Sequence, residues 1–315
     1  MAFNSFSGLT EQVSKTVVGQ TEALNKLLVA VLSGGHVLVE GVPGLAKTLL
    51  VRSIATASGC SFSRIQFTPD LLPTDLVGFL AYSKGGSSQV VKGPLFANFV
   101  LADEINRAPP KVQSALLEVM QERQATIGKQ AFPLPKPFFV MATQNPLESL
   151  GTYPLPKVQL DRFMFKLVIG YPDAESEKVI MDRNISLNKF EDFGVKPVLS
   201  PQKIVELQQR ARGVDVPDAV AGYIVSIVDA TRNPKDYGFT KGRFLDCGVS
   251  SRASISLKSA VQARALMEGR TAATKEDVRA LAPDVLRHRL AINFEGQAES
   301  VSSDELIKEL LQKVK

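Results

Sequence analysis

The stretch Gly41–Thr48, GVPGLAKT, constrains this chain more than any other. It follows the apolar run Val37–Glu40 (VLVE) and precedes residues of helical character. A buried strand that breaks into a Gly-rich turn and then a helix aims backbone N–H groups at one point and favours a polyanion there. The candidate phosphate cradle comprises Gly41, Val42, Pro43, Gly44, Leu45, Ala46, Lys47 and Thr48. Lys47 is placed to reach β/γ-phosphates and the Thr48 hydroxyl to ligate Mg²⁺. The usual pattern has Gly before the lysine, and here Ala46 holds that place. We expect Ala46 to enter the helix, where a methyl costs little.

The remaining parts of a nucleotide site follow in order. Ala97–Ala102 (ANFVLA) reads as a core strand ending in Asp103–Glu104. An acidic pair at the end of a buried strand is costly without a partner or a task. Beside a phosphate cradle, Asp103 is suited to hold Mg²⁺ and Glu104 to orient and deprotonate an attacking water. Pro137–Thr143 (PFFVMAT) is the next core strand, with Asn145 at its tip. Asn145 either contacts the γ-phosphate or caps the turn before Pro146. Leu160–Arg162 (LDR) precedes a last strand at Phe163–Ile169, and Arg162 matters only if the protein forms rings. Arg252, in GVSSR at the start of a helix, reaches phosphates only if the helical half folds onto the cradle.

Around these lie a helix at Thr21–Leu32, a second strand at Ser61–Phe67 and a helix at Arg107–Arg123. Gly turns predict two hairpins, near Tyr82–Val91 and Ala125–Lys136. Gly170–Tyr171–Pro172 marks the boundary between an αβα half (1–170) and an all-α half (171–315). The latter has apolar stripes in helices at Pro217–Arg232 and Ser251–Met267, a TxxD cap at Thr274–Asp277 and another cap at Ser302–Glu305.

Composition sets the outer limits. With 315 residues the chain is long enough for two domains. A net charge of +5 without a dense Lys/Arg block permits an anionic ligand but does not argue for nucleic acid or a membrane surface. Only Cys60 and Cys247 are present, far apart, which fits a reducing cytoplasm and excludes a disulfide framework. The N-terminal residues lack the pattern of a secretory leader, and no apolar run is long enough to span a bilayer.

Taken in order, GVPGLAKT, LADEINRAPPKVQSALLEVMQER, ATQNP, LDRF and GVSSR resemble the AAA+ ATPases, and more narrowly the MoxR family. That resemblance implies an α/β fold: a P-loop αβα core with a parallel sheet, followed by a helical lid. It implies ATP and Mg²⁺ as ligands, held between core and lid, and Mg-dependent hydrolysis. Val18, Gly19 and Gln20 match the segment near adenine; Gly41, Gly44, Lys47 and Thr48 match Walker A; Asp103 and Glu104 match Walker B. Asn145 matches sensor 1, Arg162 the arginine finger, and Arg252 sensor 2, with Val249 and Ser251 departing from the usual string. MoxR-type cradles commonly carry Ala before the lysine. The implied assembly is a homo-oligomeric ring, a hexamer, whose pore the two hairpins face. The implied role is chaperone-like remodelling or maturation of proteins, with von Willebrand factor A-domain partners. The rival readings are a DNA-processing AAA+ motor, against which the dispersed charge argues, and a regulatory nucleotide-binding module with little turnover.

Overall fold

The structure is a computed structural model and describes residues 2–42, 44–82, 88–145, 151–183 and 189–314. Pro43, the tip of the first predicted hairpin (83–87) and Pro146 lie outside the described residues.

The chain starts with helices α1 (Ala2–Ser14) and α2 (Thr21–Ser33). Strand β1 (Val37–Glu40), helix α3 (Lys47–Ala57), strand β2 (Phe62–Gln66) and the short helix α4 (Pro73–Val77) follow. A hairpin of β3 (Gly78–Tyr82) and β4 (Ser88–Lys92) leads to β5 (Phe99–Asp103) and α5 (Pro110–Glu122). A second hairpin, β6 (Gln124–Ile127) and β7 (Gln130–Pro133), precedes β8 (Phe139–Gln144), α6 (Lys157–Leu160) and β9 (Phe165–Val168).

Five of these strands form one parallel sheet in the order β2-β5-β8-β1-β9. Alternation along each strand sends Val37, Val39, Phe99, Leu101, Phe139 and Met141 to one face. Leu38, Val100, Ala102, Val140 and Ala142 go to the other. Both faces are covered, so the strands read as unbroken apolar runs rather than alternating ones. The expected helix at Arg107–Arg123 is shorter than its apolar stripe suggested. A 3₁₀ turn occupies Ile105–Arg107 and α5 begins at Pro110, because a residue before proline is driven out of the helical region.

The second half contains α7 (Ala174–Asp182), α8 (Pro201–Arg212), α9 (Asp218–Arg232), β10 (Leu245–Cys247), α10 (Ser251–Met267) and α11 (Lys275–Leu286). It continues with β11 (Ala291–Ile292), α12 (Phe294–Ala298) and α13 (Ser303–Lys313). Thr274 and Asp277 form the expected capping box, and Ser302 caps α13. Two features depart from the sequence reading. β10 and β11 pair antiparallel, so this half is not purely helical. The N-terminal residues form α1, burying Phe6, Leu9 and Val13 against α3 and α10. Helix α10 lies against α2, α8, α9 and α11, and one apolar core runs from the first sheet face through the helical half.

Candidate active site

Parallel strands end together, and ligands of open α/β sheets collect at those carboxyl ends. Here β1 ends at Glu40 beside Gln144, and β5 ends at Asp103 beside Gln66. Gly41 follows β1 so closely beside β9 that a Cβ there would stand 2.7 Å from the Ile169 carbonyl oxygen. The cradle, the acidic pair and Asn145 therefore share one edge of the sheet. They line a cavity of about 370 Å³, built from Gly44, Leu45, Ala46, Lys47, Thr48 and Leu49 with Arg64, Gln66, Asp103, Glu104, Thr143 and Asn145. Val18, Gly19 and Gln20 lie outside this cavity. Gln20 Nε2 donates to the Gly170 carbonyl at 3.2 Å, which sets that segment beside the end of β9.

Lys47 opens α3, and its Nζ donates to the Gly41 carbonyl at 2.7 Å. Burial pulls its pKa down, and the facing Asp103 and Glu104 carboxylates pull it back up. Ala46 is not in the helical region, as expected from the sequence, but has φ of +54° as the N-cap of α3. A methyl is disfavoured there by about 1–2 kcal/mol, so Ala before the lysine is a tolerated strain. Glu104, also left-handed at φ +56°, is a second non-glycine outlier on the same cavity.

The acidic pair is held by residues that the sequence reading did not single out. Thr143 Oγ1 donates to Asp103 Oδ1 at 2.6 Å and accepts the Glu104 N–H at 2.9 Å. Arg64 Nη2 lies 2.7 Å from Asp103 Oδ2. Gln66 Nε2 donates to Glu104 Oε2 at 2.8 Å, and Arg107 Nε lies 2.8 Å from the same oxygen. Arg64 and Gln66 occupy alternate positions of β2, so both reach the cavity from one face. The available signal was a period-two polar pattern on a strand adjoining Asp103.

The donor set suits a magnesium–nucleotide complex. A lysine, a glycine-containing turn at a helix start, a threonine hydroxyl and one carboxylate are oxygen-and-phosphate chemistry. Among the described residues no cluster of three His, Cys, Asp or Glu side chains could hold a metal alone. Mg²⁺ bound through phosphates, water and one or two protein oxygens needs none.

Arg162 and Arg252 are elsewhere. They line a second cavity of about 310 Å³ with Gly34, His36, Arg123, Asp161, Met164 and Arg289, among others, and it shares no lining residue with the first. His36 immediately precedes β1 and Met164 immediately precedes β9, so this cavity lies at the amino ends of those strands. The four residues of β1 separate the two edges by roughly 13 Å at 3.3 Å per residue. Ser250 N-caps α10 on the arginine side, and Arg252 Nη1 faces Asp161 Oδ2 at 3.5 Å, so Arg252 does not line the cradle cavity of its own chain. No described residue of 171–315 lines the cradle cavity, whereas the cavity beside Gly19 and Gln20 is lined by Tyr171 and Asp284 of that half. Arg162 makes no side-chain hydrogen bond or ion pair among the described residues, and its buried Nε is without an acceptor.

Comparison with known proteins agrees with this architecture. Residues 36–165 match the ATPase family associated with various cellular activities (AAA), and residues 242–310 match the AAA lid domain. The chain is 46% identical to Chaperone MoxR1 of Mycobacterium tuberculosis over 96% of its own length and 80% of that protein. It is 30% identical to Protein MoxR of Methylorubrum extorquens, over 89% of this chain and 85% of the relative. A crystal structure of a Cytophaga hutchinsonii protein superposes with a TM-score of 0.93 at 45% identity, covering 100% of this chain and 95% of that one. With the cradle, the acidic pair, the sheet order and the lid in place, the chain belongs to the MoxR family of AAA+ ATPases.

Proposed function

We propose that the protein hydrolyses ATP at a site shared between neighbouring subunits of a ring, and that turnover drives chaperone-like remodelling of a protein client. The observation that carries this is the separation of the two cavities. The cradle holds the groups that bind and attack a phosphate, while the arginines that would neutralise a transition state lie on the opposite sheet edge. A neighbour's arginine face laid against the cradle completes the set.

In this reading Thr48 and Asp103 would hold Mg²⁺, which would supply positive charge to the phosphate oxygens. Lys47 leaves the Gly41 carbonyl and binds the β/γ-phosphates. Glu104 takes a proton from the attacking water, and Asn145 helps to orient that water. Arg162, and beside it Arg252, reach the γ-phosphate of the adjacent subunit. Val18, Gly19 and Gln20 border the adenine, and the chain divides near residue 170 into nucleotide core and lid. A hexamer is the expected ring.

The remodelling role draws on the printed name of the mycobacterial relative and on the exposed hairpins. Phe79 and Tyr82 are 51% and 75% exposed on β3, and a Cβ at Gly128 would stand 2.6 Å from Leu80, so the two hairpins abut. The exposed Phe79 and Tyr82 on a solvent-facing hairpin suit contact with an unfolded segment or with a von Willebrand factor A-domain partner. No helix among the described residues is long and apolar enough to cross a membrane, and a cytoplasmic ring is the expected setting.

Subunit mixing tests the shared site. Arg162→Ala (intact cradle, no finger) and Lys47→Ala (intact finger, no cradle) should each be inactive alone and regain turnover when mixed. Failure to regain turnover at every ratio would sink the shared-site reading.

A further inference from the structure

Arg289 is a buried guanidinium to which the reading above gives no role. Only 9% of the residue is exposed, and burying such a charge is costly unless all its N–H groups find acceptors. All five do. Nε donates to Asp161 Oδ1 at 2.8 Å. Nη1 donates to the Met164 carbonyl at 3.1 Å and to the Val285 carbonyl. Nη2 donates to the Phe163 carbonyl at 2.7 Å, with the Asp161 carbonyl and Ser256 Oγ each at 3.3 Å. Most of these acceptors belong to Asp161, Phe163 and Met164, which bracket Arg162 in the chain.

The other carboxylate oxygen of Asp161 faces α10. Asp161 Oδ2 accepts from Ser250 Oγ at 2.9 Å and lies 3.5 Å from Arg252 Nη1. Ser250 Oγ in turn accepts the Arg252 N–H at 3.2 Å as the helix cap. One carboxylate thus joins the segment that carries Arg162 to the helix start that carries Arg252, and Arg289 fixes that carboxylate.

We infer that Arg289 is a positioning residue: acting through Asp161, it holds Arg162 and Arg252 in one arrangement for presentation to a neighbouring cradle. A well-packed apolar side chain would serve stability at that place, but only a planar fork meets all six of these acceptors at once. A shift of 1 Å in such a pair is enough to cost about 10²-fold in turnover. The inference rests on the shared-site reading proposed above.

The test uses full-length Arg289→Lys and Asp161→Asn, with Arg162→Ala in parallel. Binding of a fluorescent ATP analogue reports each variant's own cradle, and turnover with and without added Lys47→Ala protein reports the face it presents. For both positioning variants we expect affinity within about twofold of the parent, turnover down about 10²-fold, and recovery on mixing with Lys47→Ala. Unchanged turnover in both, while Arg162→Ala is inactive, overturns the positioning role and leaves the shared site standing. Full activity of Arg162→Ala overturns the shared site itself. If affinity falls together with turnover, or neither variant folds by circular dichroism, Arg289 is a structural residue only and the inference is wrong.

Discussion

The cradle and the arginine cavity are both built to meet phosphate, yet they handle charge in opposite ways. Around the cradle every charge is answered locally: Asp103 by Arg64, Glu104 by Arg107, and Lys47 by the Gly41 carbonyl and both nearby carboxylates. The arginine cavity has one carboxylate, Asp161, among Arg123, Arg162, Arg252 and Arg289, and Arg162 has no partner among the described residues. A site with internal compensation is stable while it waits for ligand. In the arginine cavity Arg289 and Arg123 are met by protein acceptors, and the remaining cationic surplus is left to water or a partner. The first cavity is thus suited to bind by itself, and the second to act on something brought to it.

The largest expected effect breaks the two apart by turnover. Arg162→Ala should leave nucleotide affinity intact and lower kcat of the assembled protein by about 10³–10⁵-fold; steady-state hydrolysis beside a fluorescent-nucleotide titration checks both halves. Glu104→Gln, on the cradle side, should bind ATP normally and lower turnover by roughly 10²–10⁴-fold, so that ATP accumulates unhydrolysed. Unchanged turnover would remove Glu104 from its role. Lys47→Ala should weaken ATP binding by about 2–3 kcal/mol, the scale of a hydrogen bond to a charged group, as read by the same titration. Normal affinity would undo the cradle assignment.

Acid should loosen the arginine side first. His36, on the wall of that cavity, is buried: Nε2 contacts the Met120 carbonyl, and Nδ1 accepts the Val140 N–H. Burial, with Arg123 nearby, pushes its pKa down to about 3. His288, next to Arg289, is held well below the ordinary value by burial and the same kind of neighbour. The unfolded chain therefore binds protons that the native one refuses. The stability this represents is complete above about pH 6.5 and is lost as pH falls towards the native pKa. The slope should approach about 1.4 kcal/mol per pH unit for each histidine. Denaturant titrations at pH 7.5, 5.5 and 4.5 measure it, and a flat profile would contradict neutral buried rings. The smallest effect belongs to the cradle: Ala46→Gly should raise stability by about 1 kcal/mol by relieving the left-handed alanine. A drop in melting temperature would show that the loop changes shape instead.

How much of this was legible depended on the range of the interaction. β1 matches the predicted run Val37–Glu40, and the capping box at Thr274 and the N-cap at Ser302 fall where the sequence announced them, because caps and apolar runs are settled within a few residues. Helix α1 carries its own signal in the spacing of Phe6, Leu9 and Val13, which the absence of a leader pattern does not reveal. Arg64, Gln66 and Thr143 were invisible as site residues because their significance lies in pairing between strands distant in sequence. Ala46 departs from the helical expectation for another reason. A motif specifies which residue precedes the lysine, whereas its backbone angle is set by the turn closing onto α3.

The sequence alone determined the family, the cradle with its acidic pair, and the succession of a strand-rich half and a helix-rich half. Each rests on contiguous motifs or on periodicity within a single element. Tertiary structure decided which residues share a cavity. It placed Arg252 beside Arg162 rather than over Lys47, because α10 is anchored by Ser250 and Asp161 at the amino ends of the strands. It also gave Arg289 its place, since five donors find their acceptors only when α10, α11 and the approach to β9 converge. Distance along the chain carries no information about that convergence; packing of α10 against α2 and α11 does.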